Sequence, residues 1–343
     1  MREKLKDMLY PKVMIFPVTY KCNARCCMCN IWKNKSKNHI SLNDIEKIFS
    51  DEIICENLES VNLTGGEPLL REDLLQVIRI IVQNCKKLKV ITLNTNGYFY
   101  YKYEELFDKI DRLKKEIKDF QLLVYFSMDG LYEKHDEIRG VSGFFDNLMK
   151  TIKVMQTIEK KYNIKYSFNF TITPYNYKEM KRVFSFLNDM NLSLDFTLSM
   201  PSETYFNNTV IDDLWKYDNE AIYQICSVLD ELLKKEKLTY SRTYYRNLIK
   251  MLQGDNRKIG CIFKKEGLFI STDGNIYKCW ADNHKLGNIY EKKVSQIWKE
   301  SLLKYGVEEI ERKCKNCYNN CYVNFQRNDS IKNLLNSINN NCN

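Results

Sequence analysis

Between residues 13 and 200, six short runs rich in β-branched and aromatic residues alternate with longer segments whose apolar residues recur at helical spacing. No other feature constrains the fold as much. The candidate strands are Val13 to Tyr20, Ser60 to Thr64, Lys89 to Asn94, Leu122 to Ser127, Lys165 to Ile172 and Ser193 to Met200. Amphipathic segments near 41–52, 72–85, 103–118, 144–162 and 178–190 separate them. The first opens with Ser41-Leu-Asn-Asp44, a helix cap with an acid three residues on. Six β/α units in series imply a parallel sheet with right-handed crossovers, either a barrel-like arc or an open doubly wound sheet. Either way, reactive loops follow the C-terminal ends of the strands.

The chain of 343 residues accommodates one large domain plus a small appendage. Residues 1–210 are read as the α/β core and 211–257 as a wholly helical bridge. Residues 258–325 form a small second domain, with a hairpin around Asp273-Gly274-Asn275, a helix near 294–305 and clustered cysteines. The Asn-rich 326–343 is read as a mobile tail. The net charge of +9 is spread through mixed-sign stretches such as Arg112 to Lys118 and Lys234 to Lys237. These read as solvated helix faces, with a site for an anionic substrate as the alternative, and no like-charge block stands out as a nucleic-acid tail. No segment reaches the roughly 18 apolar residues of a membrane span. Met1 to Tyr10 lacks the apolar run of a signal peptide, so the expected location is the cytoplasm. In that reducing compartment the thirteen cysteines read as metal ligands rather than disulfides.

Directly after the first strand comes Cys22-Asn-Ala-Arg-Cys26-Cys-Met-Cys29. Thiolates spaced by three and then two residues can wrap a loop around one cluster, and a four-iron cube held by three of them keeps its fourth iron open to a small molecule. A structural zinc site prefers four closed ligands and two-residue spacings. After the second strand sits Gly65-Gly66-Glu67-Pro68, where two glycines permit positive φ and close backbone approach to a ligand.

These two motifs, in this order, resemble the radical S-adenosylmethionine (SAM) superfamily. The resemblance implies a partial (β/α)6 TIM-like barrel. It also implies a [4Fe–4S] cluster on Cys22, Cys26 and Cys29, with Cys27 the extra thiol and SAM chelated to the free iron. The position before the last cysteine, often aromatic in that superfamily, is Met28 here. Gly65, Gly66, Glu67 and Pro68 correspond to the loop that binds the methionyl amino group. The third candidate strand runs into Asn96-Gly97 and the fourth into Ser127-Met-Asp129-Gly130. Asn96, Ser127 and Asp129 are therefore placed within reach of SAM, although turn chemistry explains both tracts equally well. By resemblance, Ser127 and Arg139 hold the SAM carboxylate, for which a guanidinium offers a planar fork. The adjacent His135 is read as structural.

Cys261, Gly274 and Cys279, followed by Cys314-Lys-Asn-Cys317-Tyr-Asn-Asn-Cys321, make a second constellation. The hairpin brings Cys261 and Cys279 together and the CxxC loop adds two thiolates, a set that suits a fully ligated [4Fe–4S] cluster or zinc equally well. The spacing resembles the twitch and SPASM extensions of radical SAM enzymes, which carry one and two auxiliary clusters. Five cysteines between 261 and 321 favour the one-cluster form, with Cys261, Cys279, Cys314 and Cys317 as ligands and Cys321 the spare or substitute. Cys55, Cys85, Cys226 and Cys342 are isolated and read as inert.

The resemblance implies that a flavodoxin- or ferredoxin-type donor reduces the first cluster. SAM is then cleaved to methionine and a 5′-deoxyadenosyl radical, which abstracts a hydrogen from substrate. The auxiliary cluster accepts an electron or orients substrate. Because the first strand begins near residue 13, no room is left for an N-terminal peptide-recognition domain. That favours oxidation or epimerisation of a small hydroxylated metabolite over modification of a ribosomally made peptide. A metal-binding module without catalysis is the reading from another class, and the Gly65–Pro68 loop argues against it.

Overall fold

The computed structural model describes residues 10–34, 39–234, 242–304, 314 and 316–319. The stretch before Tyr10, Lys235 to Lys237, Cys321, Cys342 and the 326–343 tail lie outside them. The alternation resolves into β1 (Val13–Thr19), α1 (Leu42–Phe49), α2 (Glu52–Asn57), β2 (Ser60–Gly65), α3 (Leu74–Asn84), β3 (Val90–Thr95), α4 (Tyr103–Glu116) and β4 (Gln121–Ser127). It continues through α5 (Tyr132–Arg139), α6 (Phe144–Tyr162), β5 (Lys165–Ile172), α7 (Met180–Asp189) and β6 (Leu194–Leu198). Strands β1 to β6 pair in sequence order, all parallel, as the open arc of a partial (β/α)6 barrel. The Ser41 cap forms as expected: its hydroxyl accepts from the Asp44 amide at 3.2 Å and donates to the Asp44 carboxylate at 2.8 Å.

The strands alternate sharply between their two faces. Met14, Phe16, Val61, Leu63, Ile91, Leu93, Val124, Phe126, Phe168, Phe170 and Phe196 are buried in one apolar core shared with the helices. On the opposite face stand half-buried Asn62, Asn94, Tyr125, Asn169 and Thr197. Asn94 Nδ2 donates to Asn62 Oδ1 at 3.1 Å, and Asn169 Nδ2 donates to Thr197 Oγ1 at 3.2 Å. Across β2 to β6 this face carries amides and hydroxyls, interrupted by Leu123 and the buried Asp195, while Ile15 of β1 belongs to a second apolar cluster. Parallel strands in doubly covered sheets are more often apolar on both faces.

Beyond β6 come α8 (Asn219–Leu233), α9 (Arg242–Leu252), β7 (Gly267–Ile270), β8 (Asn275–Tyr277), β9 (Gly287–Asn288) and α10 (Val294–Lys304). Two details differ from the sequence expectation. Residues 211–218 are turns rather than helix. The Asp218 side chain accepts from the Ala221 amide at 2.7 Å and so starts α8 only at Asn219, while Leu214 is buried against Met28 and Ile138. In addition, β7 pairs in parallel with β1, and β8 and β9 follow antiparallel, so the cysteine-rich region continues the main sheet. The hairpin turn lies at Gly274, with φ of +77°. Among the described residues no helix is long and apolar enough to cross a membrane.

Candidate active site

The cysteine loop leaves the C-terminal end of β1 and is fastened by backbone bonds on several sides. Thr19 and Lys21 carbonyls accept from the amides of Gly66 at 2.7 Å and Glu67 at 2.8 Å. The amides of Arg25 and Cys27 donate to the carbonyls of Arg139 at 2.7 Å and Ile138 at 3.0 Å, at the end of α5. Asn30 N donates to Phe206 O at 2.9 Å. Each predicted ligand sulfur receives a donor: Ala24 N to Cys22 at 3.4 Å, Arg139 Nη1 to Cys26 at 3.6 Å and Ile31 N to Cys29 at 3.5 Å. Burial raises all three thiols, Cys22 to about 12, and the neighbouring Cys26 raises Cys22 and Cys29 further. A loop that gathers three half-buried thiols and aims N–H donors at their sulfurs fits thiolates bound to iron, which supplies the positive charge that keeps them ionised.

The two glycines let their loop approach the chain itself closely. Gly65 has φ of +138°, and a Cβ there would strike the Thr19 carbonyl oxygen; a Cβ on Gly66 would strike that of Lys21. The close approach they permit is to β1 and the cysteine loop. Glu67 is completely buried. Its carboxylate accepts from Leu69 N at 3.1 Å, Thr95 Oγ1 at 2.8 Å and Asn96 N at 2.8 Å. It thereby caps the short turn that begins at Pro68 and ties it to the end of β3. Burial raises its pKa above the ordinary carboxylate value, an effect that these three bonds only partly oppose. Asn96 Nδ2 donates to Asn23 Oδ1 at 2.8 Å, which leaves Asn23 Nδ2 buried with no partner. That orphan donor, on the cysteine loop itself, suits an acceptor on a bound SAM.

Ser127 ends β4 on the polar face, one residue past buried Phe126. Asp129 and Arg139 form a buried ion pair, Oδ2 to Nη2. Asp129 Oδ1 accepts from Thr171 N at 2.7 Å, and the Asp129 carbonyl accepts from Asn176 Nδ2 at 3.0 Å. His135 is fully buried, and its Nδ1 accepts from the Asp129 amide at 3.2 Å. Its pKa is held well below the usual value by burial and by the Arg139 charge, which fits the structural reading.

The four predicted auxiliary ligands also come together. Burial pushes Cys279 well up, and the thiols of Cys261, Cys317 and Cys314 push in the same direction. Cys314, raised to about 11 by burial, feels Cys261 and Cys317. Ala281 N donates to Cys279 Sγ at 3.5 Å. Among the described residues no group of three or more His, Cys, Asp or Glu is placed to hold a single metal ion, at these cysteines or at the first cysteine loop. Isolated Cys85 and Cys226 are buried and Cys55 is half-buried, as inert thiols should be.

Several site residues escaped the sequence reading. Tyr205 OH shares a hydrogen bond with Thr64 Oγ1 at 2.7 Å and accepts from Gly65 N at 3.1 Å, so it fixes the glycine loop. Asn208 Nδ2 donates to the carbonyls of Met28 at 3.0 Å and Met200 at 3.1 Å. Ser202 Oγ and Thr204 Oγ1 donate to Trp280 O at 2.7 and 3.0 Å. The turns after β6 thus join the first cysteine loop to the second. Arg257 donates to the carbonyls of Gly260 at 3.0 Å and Cys317 at 2.8 Å, stitching the two auxiliary loops together. None of these residues sits in a motif; only Gly140, directly after Arg139, marks the α5 contact. It has φ of +68°, and a Cβ there would meet the Arg25 carbonyl.

An open arc of six parallel strands, three thiols after the first and a glycine clamp after the second define a radical SAM enzyme. The Radical SAM superfamily model matches residues 16–187, and the SPASM model, an iron–sulfur cluster-binding domain, matches 261–321. The chain belongs to the radical SAM superfamily and carries a SPASM domain, so its cofactors are a SAM-bound [4Fe–4S] cluster and auxiliary iron–sulfur binding. It is similar to the AdoMet-dependent heme synthase of Methanosarcina barkeri, 24% identical over 329 residues, 90% of this chain and 88% of that protein. It is similar also to the GTP 3′,8-cyclase of Aquifex aeolicus, 26% identical over 328 residues, 89% of this chain and 93% of that protein. The fold matches Streptococcus suis SuiB bound to S-adenosylmethionine, with TM-score 0.60, 17% identity and coverage of 95% of this chain and 77% of that one. It also matches anSMEcpe with bound AdoMet and the Kp18Cys peptide, with TM-score 0.62, 19% identity and coverage of 96% and 100%.

Proposed function

We propose that this chain abstracts a hydrogen from a small hydroxylated metabolite and carries it to an oxidised or epimerised product. The observation that carries this reading is the polar concave face. Asn62, Asn94, Tyr125, Asn169 and Thr197 present amides and hydroxyls from five strands, with side-chain hydrogen bonds pairing Asn62 with Asn94 and Asn169 with Thr197. Groups that both donate and accept suit sugar-like hydroxyls, and a site built to bond a hydroxyl discriminates strongly against analogues lacking it.

Cys22, Cys26 and Cys29 would hold the SAM cluster, and Cys261, Cys279, Cys314 and Cys317 one auxiliary [4Fe–4S] cluster, with Cys321 the candidate substitute. When bound, the first cluster and SAM supply a carbon-centred radical oxidant, with the electron coming from a flavodoxin- or ferredoxin-type donor. Asn23 Nδ2 and Ser127 are candidates to orient SAM, alongside the Gly65–Pro68 backbone, Asn96 and the Asp129–Arg139 pair. Met28 packs under the loop against Ile138 and Leu214. The turns around Tyr205 and Asn208 cover the first cysteine loop and help exclude water.

A peptide substrate is the second reading, supported by the likeness to the peptide-bound anSMEcpe and SuiB structures. The test is substrate-dependent release of 5′-deoxyadenosine with a panel of sugars, aminocyclitols and nucleosides set against short Ser-, Cys- and Gly-containing peptides. Stimulation by a hydroxylated small molecule is expected, with loss in Asn169→Leu. Stimulation by peptides alone overturns the proposal.

A further inference from the structure

We propose that Arg139, held in place by Asp129, is a positioning residue that donates an N–H···S hydrogen bond to Cys26 and raises the reduction potential of the SAM-binding cluster. This goes beyond the substrate reading and does not depend on it. Arg139 Nη1 lies 3.6 Å from Cys26 Sγ, inside the range of sulfur hydrogen bonds. The guanidinium is buried, so little water screens it; the paired Asp129 carboxylate offsets part of its charge at Cys26, and the hydrogen bond is the directed contribution that remains.

Two independent constraints fix the contact. On the side-chain level, Asp129 grips the guanidinium through Nη2 and leaves Nη1 for the sulfur. Asp129 cannot swing away, because its other oxygen accepts from Thr171 N at 2.7 Å. On the backbone level, Arg25 N and Cys27 N bond the carbonyls of Arg139 and Ile138, so the residues flanking Cys26 are tied to the same end of α5. Gly140 makes that approach possible, since a Cβ there would meet the Arg25 carbonyl.

The physical consequence follows from charge. One-electron reduction adds negative charge to the cluster and its thiolate ligands. A hydrogen bond and a buried positive charge at a ligand sulfur stabilise the reduced form more than the oxidised one, which raises the potential. Arg139 Nε is buried with no partner, so the fork also retains a donor for a bound ligand. The potential effect, unlike ligand binding, is present without SAM.

The test is an EPR-monitored redox titration of the reconstituted full-length chain in the absence of SAM and substrate. The auxiliary signal is identified in Cys26→Ala protein and subtracted. Arg139→Gln should make the first cluster at least tenfold harder to reduce, a midpoint about 59 mV lower for one electron. Arg139→Lys keeps the charge but loses the fork, so its midpoint should fall between the two; it also carries the test if the Gln variant does not fold. A midpoint equal to wild type in Arg139→Gln, or in Arg139→Lys where only that variant folds, overturns the proposal even if SAM binding is lost, because Arg139 would then act on SAM alone.

Discussion

Replacing Glu67 by Ala removes one fully buried carboxylate and strands three donors at once. The amide of Asn96 loses a 2.8 Å bond, the Thr95 hydroxyl another of 2.8 Å and the Leu69 amide one of 3.1 Å. Hydrogen bonds to a charged acceptor contribute about 1.5–3 kcal/mol each, and the stranded groups have no water to replace it. Local opening of the β3 end and of the Pro68 turn should therefore become easier by about that amount per amide. At 1.4 kcal/mol per tenfold, the amides of Leu69 and Asn96 should exchange with deuterium about ten- to a hundredfold faster. Hydrogen-exchange mass spectrometry of peptides covering 65–71 and 93–98 reads this directly, with α6 as the internal reference. SAM affinity should fall with it, because the loop that faces the ligand loses its support, while the cysteine loop still assembles its cluster. Unchanged protection at both amides in a folded variant would refute the argument that Glu67 clamps the glycine loop to β3.

Gly140→Ala forces a Cβ toward the Arg25 carbonyl at a left-handed position. It should lower stability by at least about 1–2 kcal/mol and reduce iron retention on the first loop, read by thermal unfolding and iron assay. Tyr205→Phe should lose about 1–3 kcal/mol, because the Thr64 hydroxyl and Gly65 amide are left unsatisfied; a midpoint unchanged in urea would remove Tyr205 from the clamp. With the auxiliary cluster as electron acceptor for an oxidative reaction, replacing Cys279 and Cys317 together by Ala should leave SAM cleavage largely intact and abolish oxidised product, with one cluster remaining by EPR. Product at the wild-type rate would make the auxiliary cluster a structural staple.

Much of this architecture is legible in the sequence, because the α/β alternation and the cysteine spacings are local patterns. All six core strands and the helix over 144–162 stand where the periodicity places them, with ends displaced by a residue or two. The four auxiliary thiols converge as the hairpin and the CxxC pair imply. What the sequence hides is long-range and mediated by backbone. Tyr205 bonds Gly65 across 140 positions and Asn208 bonds Met28 across 180, and neither partner atom is a side chain. The short polar helix α5 carries too little apolar periodicity to announce itself, although it holds Arg139 and the clamp on the cysteine loop. Ile211, Leu214 and Trp215 are spaced like a helical stripe, yet residues 211–218 form turns in which they pack with Met28 and Ile138 beside Cys26 and Cys27. Glu67 shows the converse: its motif is plain, while its three internal partners become visible only once β3 is in place.

The central claim is that Cys22, Cys26 and Cys29 hold the cluster that cleaves SAM. The most direct measurement is 5′-deoxyadenosine released under anaerobic reduction by the iron- and sulfide-reconstituted chain, compared with Cys26→Ala prepared in the same way. Release by the wild type and none by the variant is the outcome this account requires; equal release by both would contradict it.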